Sequence, residues 1–248
     1  MNSKISGTKF WKKQFARISQ TKSFEDNIQA VGKYLIEENQ KTWLTEVLRY
    51  LPEGHTFNTT VYLIAGYDNI VFKEDIALDL SFTQFHVDQR ESLYYLIHEL
   101  AHAGYLRYHN MPELRRMRTI GDLIEVTRFL THLEGMGVVS AFRKRTNDNG
   151  FLDRDYQVLM SASERSKKVK EYFGILSKLE RNPDAELKNQ HVKTFERMSG
   201  KKTRLWYITG CYIAQQIENK CDLETLKQLV IKGADEFFKV YSEIEDLA

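Results

Sequence analysis

The sequence predicts an α+β domain, mostly helical, with a small β-sheet ahead of a helix that carries metal-ligating residues. Three observations predict it. Apolar residues recur at helical spacing over most of the chain, β-prone residues cluster between Thr59 and Leu80, and the helix that follows contains His98-Glu99-Leu100-Ala101-His102. No internal repeat, low-complexity tract or flexible linker divides the 248 residues. One domain spanning 1–248 is therefore expected, with a helical N-terminal part at 1–55, the sheet and metal-binding helices at 56–145, and a helical C-terminal part at 146–248.

Taken in order, Phe10 to Ile18 and Ser23 to about Tyr50 read as helices. The second opens with Ser23 and Asp26 in a capping-box arrangement and ends before Leu51-Pro52-Glu53-Gly54. Thr59 to Ile64 is β-prone, Gly66 to Asn69 is turn-like, and Ile76 to Leu80 alternates as a half-buried strand does. After His109-Asn110-Met111-Pro112 the chain reads as helix, broken near Asn147 to Gly150, at Asn182-Pro183, at Gly200 and at Gly233.

Composition excludes several classes of function. Hydrophobic residues make up 42% of the chain, enough for a full core. A formal charge of +2 creates no strong field to recruit nucleic acid or an anionic membrane, and neither partner is expected. The pairs Lys12-Lys13, Lys167-Lys168 and Lys201-Lys202 read as solvated helix faces. Cys211 and Cys221 form neither a CxxC metal pair nor a disulfide framework, which fits a reducing compartment. The N-terminal stretch lacks the apolar core of a signal peptide, and no run reaches the roughly 18 apolar residues of a membrane span. A soluble, cytoplasmic protein is expected.

Two histidines four apart on a helix can grip one metal ion, and the glutamate between them is placed to activate a water. At about 100° per residue, Leu93, Leu96, Ile97, Leu100 and Ala103 form an aliphatic stripe opposite His98. His98, His102, Glu91, Tyr94, Ala101 and Tyr105 share the other side, as a cleft wall would. The ordinary alternative is a pair of exposed or hydrogen-bonded histidines on an amphipathic helix.

A catalytic zinc takes three protein ligands and keeps one position open, so a third ligand must come from elsewhere. The pattern HExxHxxGxxH is excluded, because Tyr105 and Tyr108 stand where it needs Gly and His. His109 lies about 10 Å further along a continuous helix than His102 and cannot reach the same ion. Glu134 is the better candidate. Its helical neighbours are Leu123, Thr127, Leu130, Val138 and Ala141, so one carboxylate interrupts a mostly apolar face and needs compensation by a metal, a cation or a proton. Gly135 and Gly137 remove side chains where another helix can approach. An arginine ion pair is the competing explanation for Glu134, and His132, projecting with Glu125 and Arg143, is the rival ligand.

With His98, Glu99, His102 and a downstream Glu134-Gly135, the chain resembles the gluzincin group of zinc metallopeptidases. It is most similar to the uncharacterised families of predicted Zn-dependent proteases that carry HExxH followed by a helix with a Glu-Gly pair. The resemblance covers Val61 to Phe142 and extends weakly to Trp206 to Ala214. It implies a zincin-like fold, one Zn2+ per chain held by His98, His102 and Glu134, and a peptide or protein substrate. It also implies that the strand Ile76 to Phe82 offers an edge to an extended peptide.

In that reading Glu99 moves the proton from water to the leaving amine. Tyr207, Tyr212, Tyr105 and Arg204 are candidate oxyanion donors by residue type, Tyr207 and Tyr212 foremost. Glu91, Asp122 and Glu125 are candidates to orient the histidines. No nucleophile elbow, second acid pair or phosphate-binding glycine loop supports another enzyme class. The alternatives kept open are a non-catalytic zinc-binding or peptide-binding module, for which a fourth protein ligand would argue, and a helical interaction protein.

Overall fold

A computed structural model describes residues 24–38, 40–66, 68–200 and 202–246. The helix expected at Phe10 to Ile18 and the Ser23 cap lie outside them. The single helix expected from Ser23 to Tyr50 is two, α1 (Phe24–Glu37) and α2 (Gln40–Leu48). Glu25 and Asp26 in the first turn of α1 favour its N-terminal dipole.

Among the described residues the sheet has three strands, β1 (Val61–Ile64), β2 (Ile70–Phe72) and β3 (Asp75–Asp79), in the order β1-β3-β2. β1 runs parallel to β3 with Val61 opposite Ile76, and β2 runs antiparallel with Ile70 opposite Ala77. Two expectations are corrected here. The strand from Ile76 has no free edge, because it is the middle strand. Nor is it half-buried: Ile76, Ala77, Leu78 and Asp79 are all buried. The Asp79 carboxylate accounts for part of the difference, since it turns inward to accept from the Gly66 and Ser81 amides, both at 2.9 Å. A buried acid thus mimics the outward half of an alternating pattern. β2 itself carries only three residues, too few for a periodic signal.

The short α3 (Thr83–Val87) leads into α4 (Arg90–Leu106), the motif helix, whose stripe of Leu93, Leu96, Ile97, Leu100 and Ala103 is buried as expected. A 3-10 turn (Leu114–Arg116) precedes α5 (Ile120–Asp148), the 29-residue axis of the molecule. Thr119 and Asp122 cap its start reciprocally, and Asn149, in the left-handed region at φ 53°, ends it. Asp122 therefore serves the helix end rather than a histidine.

Then follow α6 (Arg154–Met160), α7 (Ala162–Leu179), α8 (Asn189–Ser199), α9 (Leu205–Lys220), α10 (Leu223–Lys232) and α11 (Ala234–Asp246). The breaks at Gly200 and Gly233 occur as expected. Two more occur at Ser161 and Asp222, where each side chain accepts an amide of the next helix.

α5 lies between α4 and α9 and packs closely on both. At the α5–α9 crossing Gly135 meets Gly210 backbone to backbone, so closely that a Cβ on either would overlap main-chain atoms of the other helix. Among the described residues no helix is long and apolar enough to cross a membrane.

Candidate metal centre

His98 and His102, one turn apart on α4, face α5 with their rings 4.4 Å apart at 68°. Opposite them α5 presents Glu134. Its Oε2 lies 3.2 Å from His98 Nε2 and 3.4 Å from His102 Nε2. One ligand atom from each of the three residues falls within 4.8 Å of the others. Two ligands at about 2.0–2.1 Å from a tetrahedral zinc are separated by about 3.4 Å, so these spacings fit one ion.

A second observation agrees. Among the described residues the buried His102 Nε2 makes no well-aligned hydrogen bond, only the 3.4 Å approach of Glu134, and a metal bond would satisfy it. Glu134 pairs with the two imidazoles rather than with an arginine.

Charge favours a cation here. Burial alone would raise the Glu134 carboxyl, but the His102 and His98 imidazoles hold it well below the usual carboxylate range. Burial would likewise depress His102, yet Glu134 and Glu99 outweigh it and lift its pKa to about 10. Glu99, buried beside the pair, has Oε2 3.5 Å from His102 Nδ1 and lines the same cleft of about 910 Å³.

Tyr207 of α9 is brought to the cluster. Its ring lies nearly parallel to that of His98 at 6.4 Å, and burial together with the adjacent Glu134 carboxylate raises its hydroxyl well above the ordinary range. Tyr212 is not brought there. Five residues on along a helix turn it by about 140°, and it packs against Tyr241 and beneath Arg165. Tyr105 is also elsewhere, sharing a 3.0 Å hydrogen bond with His132 Nδ1. His132 is fully buried and stacked on Phe237 at 4.0 Å, not on the polar side, because α11 covers that face of α5. His109, past the end of α4, bonds the Val230 carbonyl.

Glu91 and Arg145 form a buried pair where the start of α4 meets the end of α5. Arg145 Nη1 and Nη2 donate to the two Glu91 oxygens at 2.6 and 2.8 Å, with the guanidinium between the Tyr94 and Tyr156 rings. The opposite cleft wall brings in Asp153, Asp155 and Arg204. Asp153 caps α6 by accepting from the Asp155 amide, and neither acid was singled out from the sequence.

Gly137 has a specific role. A Cβ there would lie 2.7–2.8 Å from three imidazole atoms of His98 and His102. Gly137→Ala should push both rings off the shared point and weaken zinc binding by about 10- to 100-fold, read by competition with a chelating dye. Gly135→Ala should instead separate α5 from α9 and lower stability by about 1–3 kcal/mol, read by thermal denaturation. Equal zinc affinity in Gly137→Ala and wild type would contradict His98 and His102 as candidate ligands.

No curated protein and no solved structure matches the chain. A family model described as "Putative zinc dependent peptidase (DUF5700)" matches residues 2–246, nearly the entire length, and the chain belongs to that family.

Proposed function

We propose that this protein is a gluzincin-type peptidase of zincin-like fold, with zinc held by His98, His102 and Glu134. The observation that carries the reading is the three-ligand cluster opening onto a cleft with Glu99 at its edge. Among the described residues the cluster offers three ligands rather than four, which leaves the position a catalytic centre needs.

When bound, zinc supplies Lewis-acid chemistry, lowering the pKa of a water toward neutrality and polarising the scissile carbonyl. The rest is the work of side chains. Glu99 accepts a proton from the attacking water and returns it to the leaving amine. Tyr207, whose hydroxyl keeps its proton, donates to the oxyanion that develops on the carbonyl. The sheet edge at the cleft is β2, through Ile70 and Val71, so an extended substrate pairs with β2 and not with the strand from Ile76.

The test is metal stoichiometry by elemental analysis of untagged protein, with a peptide-library digest alongside. One zinc per chain, lost or weakened in His98→Ala and Glu134→Ala, is the expected result. A wild type that stays metal-free after reconstitution with zinc would refute it.

A further inference from the structure

The cleft holds a second binding element that the hydrolytic chemistry does not use, the guanidinium of Arg204. Its Nε donates to the buried Asp155 Oδ2 at 2.7 Å, while Nη1 and Nη2 have no hydrogen-bond partner among the described residues. The planar group lies on the Tyr207 ring, Cζ 3.2 Å from the centroid, and that ring in turn lies against His98. Guanidinium, phenol and imidazole thus form one stack reaching from the cleft wall to a proposed metal ligand. One anchored nitrogen and one stacked face fix the orientation of the fork, and the two remaining donors are left for a partner.

The backbone adds a separate observation. Arg204 occupies the left-handed region, φ 50° and ψ 35°, where glycine or asparagine is the usual occupant. A long cation placed in that conformation, with its side chain 26% exposed in the cleft, is explained by what the side chain does.

Two parallel N–H donors on a fixed guanidinium match the two oxygens of a carboxylate. The stack spans about three residues of extended chain. We infer that Arg204 is a substrate-docking residue that selects peptides bearing a carboxylate within about three residues of the scissile bond. That carboxylate belongs either to an acidic side chain or to the substrate's own C-terminus. The inference rests on the proposed metal site. Arg154 on the cleft rim adds a second cation on the same side, while Asp153 is engaged by the Asp155 amide and the Tyr95 hydroxyl.

The experiment measures binding, not turnover. Four succinyl hydroxamates, which share a metal-binding head, are titrated calorimetrically into zinc-loaded protein. Their tails are alanine with a free carboxylate, aspartate amide, alanine amide and lysine amide. One of the two carboxylate tails should bind at least about tenfold more tightly than alanine amide, and which one does so identifies the source of the carboxylate. In Arg204→Gln that ratio should fall below about twofold, and Arg204→Glu should reverse it in favour of lysine amide. Because the ratio is internal to each protein, a general loosening of the cleft cancels.

Equal binding of all four probes to the wild type would overturn the inference while leaving the zinc reading intact. So would tightest binding of lysine amide, or an unchanged ratio in Arg204→Gln. No binding of any probe, together with no zinc by elemental analysis, would overturn both.

Discussion

Glu99→Gln is expected to keep one zinc per chain and lose peptide hydrolysis by about 10²- to 10⁴-fold, the usual contribution of a positioned acid–base group. The substitution preserves size and planarity at a buried position, so α4 should not move. It removes the ability to take up and release a proton and little else, because Glu99 is not among the three clustered ligands. Elemental analysis checks the first half and kcat/KM on any peptide cut by the wild type checks the second. Turnover at the wild-type rate would show that the proton is carried by another group, and loss of zinc would show that Glu99 contributes more to the ion than to the water.

The second large effect concerns folding. Glu91 and Arg145 are 0% and 1% exposed, and the two terminal guanidinium nitrogens donate to both Glu91 oxygens. Glu91→Ala leaves an uncompensated guanidinium between two aromatic rings and should cost about 3–5 kcal/mol. For a chain of this size that lowers Tm by roughly 6–20 °C. Pairing the change as Glu91→Leu with Arg145→Met removes both charges and should recover most of the loss, since a buried ion pair rarely outperforms apolar packing of equal volume. Thermal unfolding of the two variants separates the cases. If the double variant is no more stable than Glu91→Ala, the pair contributes through something other than charge compensation.

These residues also mark the limit of what the sequence discloses. The clustered residues His98, His102 and Glu134 were legible because each leaves a local mark, two histidines at one-turn spacing in α4 and a carboxylate on an apolar face in α5. The arrangement of α9 was not. Tyr207 and Tyr212 belong to the same helix and the same residue type, and the packing of α9 on its neighbours, with Gly210 against Gly135, sets which one turns toward the His98–His102–Glu134 cluster. Glu91 looked like a candidate to orient a histidine because its face of α4 is correct. Its partner lies 54 residues away, and a pairing of that range has no periodic trace. Ser161 with Glu164, and Asp222, did leave marks as helix caps, yet each falls within a continuous apolar pattern that masks a break. β2 was missed for want of length, and with it the strand that borders the cleft.

α4 and α5 are fastened at three heights: Glu91 to Arg145, His98 and His102 to Glu134, and Tyr105 to His132. Along α4 the outer fastenings stand 14 residues apart, about 21 Å, with the proposed metal ligands between them. Two rods joined at a single bolt can pivot, whereas rods joined at both ends and at the middle can neither swing nor slide. An ion bound at the proposed site would therefore not need to assemble its own cage, since the outer bolts hold the three candidate ligands close together without it, and its departure would leave the jig standing.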